Sequence, residues 1–358
     1  MKILYGVQGT GNGHLTRARS MAKALAPHNV TVDWLVSGRP REALFDMDAF
    51  GDFRCFKGLT LQTFKGKVNM GKTIVKSDLL QLKRDINALD LSHYDLVVSD
   101  FEPVSAWAAR KQGVRSIGIS HQNAFLYPIP KRANNIFTDL FMRWFAPTDV
   151  PVGTHWHHFD QPLVPPIVEP SSHPVTLREK HILVYLPFAE LDDILALIKP
   201  FLGYQFYVYH KVAQAETRGH IHLCPFSREG FQNHLHSCEG VISSAGFELP
   251  SEAISLGKKL LVEPVAGQME QQSNAVALQS LGYASTAMRL SAASIARWLE
   301  LPGSQAIHYP NVAAALAQWF VEDKAENLTT LSEKLWRQVP GVSAPEQAQE
   351  YQASLSRC

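Results

Sequence analysis

Three short stretches of the 358-residue chain carry side chains able to do chemistry. The first, Gly6-Val7-Gln8-Gly9-Thr10-Gly11-Asn12-Gly13-His14, is rich in glycine and ends in an imidazole. Where such a loop joins a strand to a helix, free backbone N–H groups and the helix dipole favour an anion. A phosphate-bearing ligand is therefore expected at Gly9, Gly11, Asn12 and Gly13, although glycines can also do no more than make a tight turn. The stretch is not a P-loop, since no Gly-Lys-Ser/Thr closes it, and His14 stands where a dinucleotide fingerprint has its third glycine. An imidazole at the start of such a helix can take a proton, so His14 suits a general base, or else caps or packs the helix. Asp100, after the run Asp95-Leu96-Val97-Val98-Ser99, is its candidate carboxylate partner and Glu102 the nearby rival. Both could instead cap the helix that follows.

The second stretch runs from Ser243 to Gly257. Pro250 suits a first helical turn and Gly257 a helix end, which predicts Ser244, Ala245, Gly246 and Phe247 in a strand-to-helix turn and Glu252 in the helix's first turn. A carboxylate there accepts hydrogen bonds from ribose hydroxyls. In the third, strand Lys259–Glu263 leads through Gly267 to Glu270-Gln271-Gln272-Ser273-Asn274-Ala275. Glu270 and Gln271 offer the acceptors and donors that sugar hydroxyls need. Either helix start alone could be merely solvated; two adjacent units in the same order point to a site.

These residues need elements to hold them. Short apolar runs alternate with amphipathic ones, the pattern of parallel sheets covered by helices. Strands are predicted at 2–8, 30–36, 95–99 and 115–119 and helices at 14–26, 73–89 and 102–112. Seven prolines between 147 and 174 break regular structure over 146–180. Strands resume at 181–187, 205–210, 221–225, 240–243 and 259–263, with helices at 190–198 and 228–238, then 311–322 and 326–338. The expected layout is a Rossmann-like domain over 1–160, a linker over 161–180, a second such domain over 181–340 and a tail over 341–358.

Size scaling favours two domains for this length. Hydrophobic residues make up 46% of the chain and charged ones 19%, which excludes disorder. A net charge of +1 offers no general drive toward nucleic acid. Cys55, Cys224, Cys238 and Cys358 lie in no CxxC pairing, which predicts reduced thiols. The opening Met1–Val7 turns into the glycine loop too early for a signal peptide, and no run of about 18 apolar residues occurs, so a cytoplasmic protein is expected.

The glycine loop ending in His14, Gly246 through Gly257, and Glu270-Gln271-Gln272-Ser273-Asn274-Ala275 together resemble the GT-B glycosyltransferases. The pattern is similar to the peptidoglycan GlcNAc transferase and the UDP-glycosyltransferases, and to a set of bacterial and archaeal glycosyltransferase-like proteins. The resemblance implies an α/β GT-B fold, two doubly wound Rossmann-like domains facing a central cleft. It implies transfer of a sugar, hexosyl or N-acetylhexosaminyl, from a nucleoside-diphosphate sugar, UDP-linked, to an acceptor hydroxyl with inversion. Glu252 then holds the ribose, Glu270 and Gln271 contact the donor sugar, and Phe226 packs near uracil. In this reading His14 is the base and Asp100 its partner. The chain departs from the peptidoglycan enzyme at Leu186-Pro187-Phe188-Ala189, where no glycine-rich turn follows the strand.

No cofactor or metal is expected, since the chain shows no clear Asp-x-Asp metal motif of the single-domain transferases and helix N-termini can meet the leaving charge. His155-Trp156-His157-His158 is read as structural rather than as a metal site. Lys65, Lys67, Lys72 and Lys76 could meet an anionic acceptor, such as a lipid-linked glycan of the cell envelope, or form a solvated face. Ile136–Phe145 is a core face or a peripheral membrane contact. A nucleotide-sugar 2-epimerase of the same fold and a catalytically silent sugar-nucleotide-binding regulator remain alternatives. An NADP reductase using Arg39 and Arg41 is the third, against the broken fingerprint.

Overall fold

The computed structural model describes residues 1–44, 46–59, 63–64, 67–68, 79–132, 136–169, 176–322 and 327–343, with the backbone alone at 63–64, 67–68 and 136–139. The first half contains β1 (Lys2–Gln8), α1 (Asn12–Leu25), β2 (Thr31–Ser37), β3 (Arg54–Phe56), β4 (Thr63–Phe64), β5 (Lys67–Val68), α2 (Leu79–Ala88), β6 (Leu96–Asp100), α3 (Pro103–Gln112), β7 (Ser116–Ser120), α4 (Ile136–Trp144) and β8 (Val150–Gly153). Six strands form one sheet in the order β3-β2-β1-β6-β7-β8, with every pairing parallel, while β4 and β5 pair separately.

The second half contains β9 (His181–Tyr185), α5 (Leu191–Ile198), β10 (Gln205–Tyr209), β11 (Glu216–Arg218), β12 (Ile221–Cys224), α6 (Arg228–Ser237), β13 (Gly240–Ser244), α7 (Glu248–Ser255), β14 (Lys259–Glu263), α8 (Met269–Ser280), β15 (Ser285–Thr286) and α9 (Ala292–Leu299). Its sheet runs β11-β12-β10-β9-β13-β14-β15 and is parallel except at β11. Strand order reverses beside β1 in one sheet and beside β9 in the other, the positions where open α/β sheets leave a crevice at the strands' carboxyl ends. The two crevices face one cleft lined by loops from both sheets.

Local chemistry explains the elements. Ile3, Leu4, Tyr5 and Val7 are fully buried, as a central parallel strand covered on both faces requires. Gly6 lies within β1 because α3 packs directly on it: a Cβ there would come 2.1 Å from Ser105 Oγ. Pro103 opens α3 and Gly113 ends it in a left-handed conformation, φ 68°.

One difference from expectation has a plain cause. β8 lies inside the proline-rich stretch that was expected to hold no regular element; Pro151 is tolerated because β8 is an edge strand paired only with β7. The predicted helix over 73–89 is seen from Leu79 onward, with 73–78 outside the described residues. The last helices, α10 (Val312–Val321) and α11 (Leu328–Trp336), return to the first half. Val312, Leu316, Phe320, Leu331 and Leu335 share a core with Leu15, Met21 and Leu25 of α1. The Trp336 indole N–H donates to the Leu163 carbonyl at 2.7 Å. Among the described residues no helix is long and apolar enough to cross a membrane.

Candidate active site

In the loop after β1 none of Gly9, Gly11 and Gly13 has a positive φ, and Gly9 and Gly13 serve clearance. The Gly9 N–H donates to Ser37 O at 2.7 Å, and a Cβ on Gly9 would lie 2.9 Å from Val36 Cγ1. A Cβ on Gly13 would lie 2.5 Å from Glu248 Oε2, a residue of the other half. Gly11 is the N-cap of α1 and supplies no side-chain cap, so the helix start opens on the cleft. Asn12 Oδ1 accepts from Arg39 Nη1 at 3.2 Å, and Arg39 Nη2 donates to Thr10 O at 3.0 Å. Arg39 thus braces the glycine loop, and Arg41 lies over the Phe53 ring at 4.1 Å. Neither arginine waits for a ribose phosphate.

In the first turn of α1, His14 Nδ1 lies 2.7 Å from Asp100 Oδ1 at the end of β6. A carboxylate can only accept, so Nδ1 carries the hydrogen and Nε2 keeps the lone pair a base needs. Asp100 is completely buried and also takes a fork from Arg17, at 2.8 Å from Nε and 2.6 Å from Nη2. Burial alone would raise the Asp100 carboxyl; Arg17 and His14 outweigh it and hold the group below the usual carboxylate range. The third nitrogen of Arg17, Nη1, reaches Glu248 of α7 across the cleft. The next residue, Phe101, has φ 51°, an uncommon conformation for a bulky residue and the kind of backbone strain found at functional sites.

Glu102, the rival carboxylate, is a cap. It accepts from Val104 N at 2.7 Å, Ser105 N at 2.6 Å and Ser37 Oγ at 2.6 Å, fully buried. Its oxygens are committed to the start of α3, and His14 pairs with Asp100.

On the opposite wall, Ser244 and Gly246 at the end of β13 line the cleft. Ala245 lies fully buried behind them, its carbonyl accepting from Asn274 Nδ2 at 3.0 Å. Phe247 stacks on His121 at 3.9 Å between centroids and 8° between planes. α7 starts at Glu248, two residues before Pro250, so Glu252 stands in its second turn; the expected first-turn carboxylate is Glu248. Glu252 Oε2 accepts from Gln232 Nε2 at 2.8 Å. Its carboxyl is pushed up to about 7, chiefly by burial in the cleft wall, against the pull of Gln232.

Glu270, in the first turn of α8, accepts from Gln122 Nε2 of the first half at 3.0 Å, and burial raises its carboxyl. Gln271 is buried, its Oε1 accepting from Val265 N at 3.0 Å, so that half of its amide shapes its own loop. Phe226 is 50% exposed and stands edge-on to Tyr185 at 6.2 Å.

The cleft encloses about 1950 Å3, more than a single drug-sized ligand fills. Four helices that follow strands at the two crevices, α1, α5, α7 and α8, have no side-chain cap. Helices α3, α6, α9, α10 and α11 are all capped by Glu, Ser or Asn. The starts of α1, α7 and α8 line the cleft, where their uncapped N–H groups can meet an anion.

A buried seam joins the halves at one edge. His121 lies between Thr154 O at 2.8 Å and Asn274 Oδ1 at 2.6 Å, and burial pushes its imidazole down to about 4 against the pull of both oxygens. Trp156 Nε1 donates across to Ser251 Oγ at 2.8 Å. Sequence reasoning missed His121, Gln122, Arg17 and Glu248; the only local signal was Arg17 at three residues from His14, on the same helix face.

Nδ1 atoms of His155, His157 and His158 each accept a backbone N–H at 2.9 Å. Among the described residues no group of three or more His, Cys, Asp or Glu side chains could hold a metal ion. Lys65, Lys72 and Lys76 and the Lys67 side chain lie outside the described residues. On α4, Leu140 and Trp144 are exposed while Phe141 and Met142 line the cleft beside Phe101.

A family model described as glycosyl transferase family 1 matches residues 1–302. No curated protein matches the chain in sequence. Among solved structures, the glycosyltransferase SnogD from Streptomyces nogalater superposes with a TM-score of 0.54 at 15% identity, over 90% of this chain and 95% of its own. LpCGTa in complex with UDP gives 0.57 at 15% identity, over 94% and 98%. The spinosyn rhamnosyltransferase SpnG complexed with thymidine diphosphate gives 0.56 at 14%, over 90% and 95%. At such identities the likeness is one of fold, two Rossmann-like halves in the GT-B arrangement.

Proposed function

The chain belongs to glycosyl transferase family 1, and on that premise we propose that it moves a sugar from a UDP-linked donor to an acceptor hydroxyl, with inversion and without a metal ion. One observation carries the reading: a His14–Asp100 pair with a free Nε2 on one wall faces the uncapped start of α7 and Glu252 on the other. His14 Nε2 takes the hydroxyl proton as the oxygen attacks the anomeric carbon. The bond from that carbon to the diphosphate oxygen breaks, and its electron pair leaves on the diphosphate. N–H groups at the start of α7 meet the new charge. Glu252 receives the ribose hydroxyls, Phe226 faces the base, and Glu270 and Gln271 lie toward the sugar.

UDP and thymidine diphosphate, seen with LpCGTa and SpnG, support a pyrimidine nucleotide. The apolar wall of Phe101, Phe141 and Met142 beside Asp100 supports an acceptor with an apolar portion, such as a lipid-linked glycan. A thermal-shift screen of UDP-, TDP- and GDP-sugars against nicotinamide cofactors tests the donor class, since a ligand bound only by the native state raises the melting point. Stabilisation by a UDP-sugar is expected; no shift with any sugar nucleotide refutes the reading. His14→Ala should abolish transfer while donor binding persists. Product analysis separates transfer from 2-epimerisation.

A further inference from the structure

We infer that Arg17 is a positioning residue through which the His14–Asp100 pair senses closure of the cleft, with Glu248 of the opposite half as the group that completes its charge balance. The inference rests on the reading of His14 as base. Arg17 is 2% exposed and spends two nitrogens on Asp100 and the third on Glu248. Its Nη2 also lies 2.9 Å from His14 Nδ1. The guanidinium therefore touches the base, the base's partner and a helix of the other half at once. The space at Gly13, where a Cβ would come 2.5 Å from Glu248 Oε2, lets that carboxylate in. The contact is built into the glycine loop.

With Glu248 docked, Asp100 and Glu248 contribute two negative charges and Arg17 one positive charge. The set is neutral when His14 carries the proton it has taken from the acceptor. With Glu248 withdrawn, Arg17 and Asp100 cancel and the imidazolium loses the counter-charge that reaches it through Arg17, keeping only the pull of Glu270. Closure thus makes proton uptake by His14 favourable at the place where α7 would meet the donor. Among the other titratable groups facing His14, Glu270 of α8 also attracts the imidazolium, but burial raises its carboxyl and it hydrogen-bonds Gln122 rather than Arg17. His121 after β7 is wedged between Thr154 and Asn274, and burial pushes its imidazole down. Tyr5 of β1 lies beneath Arg17 and Asp100.

The test is an NMR pH titration of histidine-selectively 13C-labelled full-length protein, with His14→Gln identifying the His14 resonance. In Glu248→Gln the midpoint of that titration should fall by about half a pH unit or more, the scale of losing a nearby opposite charge. Glu248→Asp, which keeps the charge, should recover at least part of the shift. An unchanged midpoint in Glu248→Gln, in protein that still melts cooperatively, overturns the inference. The two readings fail separately. If His14→Ala retained transfer, the base assignment would fall while the titration still measured the coupling. If His14→Ala were inactive and the midpoint did not move, only the role of Arg17 and Glu248 would fall.

Discussion

Donor affinity should rise about tenfold between pH 6 and pH 8, and Glu252→Gln should remove most of that rise. Glu252 titrates at about 7 because burial in the cleft wall disfavours its charge, with Glu248 and Glu169 adding repulsion and Gln232 and Arg228 pulling the other way. A ribose diol needs a carboxylate that accepts two hydrogen bonds, so binding selects the ionised form. With that midpoint the group is ionised to roughly one tenth at pH 6 and nine tenths at pH 8, close to a tenfold change in competent protein. Tenfold corresponds to about 1.4 kcal/mol of binding free energy. Isothermal titration with UDP-glucose measures it cleanly, because its diphosphate is esterified at both ends and has no proton to lose in this window. Any slope that survives in Glu252→Gln belongs to other groups. At pH 8 the variant should bind weaker by about 1.5–3 kcal/mol, the worth of hydrogen bonds to a charged acceptor. A wild-type affinity flat from pH 6 to pH 8, or an equal slope in Glu252→Gln, refutes the assignment of Glu252 to the ribose.

The same carboxyl bears on stability. Its folded value lies above the ordinary one, so the folded chain holds the proton more tightly between about 4.5 and 7, and Glu252 makes stability fall as pH rises through that window; ligand-free Glu252→Gln should show a shallower fall by thermal denaturation. Asp100→Asn keeps the shape but removes the buried partner of Arg17, and should cost about 3–5 kcal/mol by urea unfolding as well as transfer activity. Gly13→Ala drives a methyl group into the Glu248 carboxylate; a loss of about 1–3 kcal/mol is expected, and in a Glu248→Ala background the same substitution should cost much less. Equal melting points for wild type and Gly13→Ala would contradict the clearance role of that glycine.

Much of the frame was legible because each signal is local. Every predicted strand in the first half lies within a residue of an observed one, since buried parallel strands read as continuous apolar runs bounded by polar turns. The placement of Gly246 and of Glu270 followed from strand, turn and helix succeeding one another within a few residues. Glu252 was placed one turn too early because Pro250 is allowed anywhere in a first turn, and α7 begins two residues ahead of it. Arg17 and Glu248 are 231 positions apart, and no local pattern encodes a meeting of two halves. His121 was hidden for the same reason: its stacking partner Phe247 and its hydrogen-bond partner Asn274 both come from the other sheet. β8 was lost to Pro151, whose missing N–H matters only if a strand has neighbours on both sides.

The return of α10 and α11 to the first sheet has a consequence for the order in which the protein can be made. Leu15, Met21 and Leu25 emerge from the ribosome early, yet the side chains that cover them, Leu316, Phe320, Leu331 and Leu335, come last. At about 5–20 residues per second, the stretch of about 170 residues from Glu169 to Trp336 takes on the order of ten to thirty seconds. For that interval the nascent first half carries an uncovered apolar face, a surface that binds chaperones or its own kind. Fragments ending near residue 180 should consequently aggregate, whereas the second half, whose helices close its own sheet, can settle as soon as it is released.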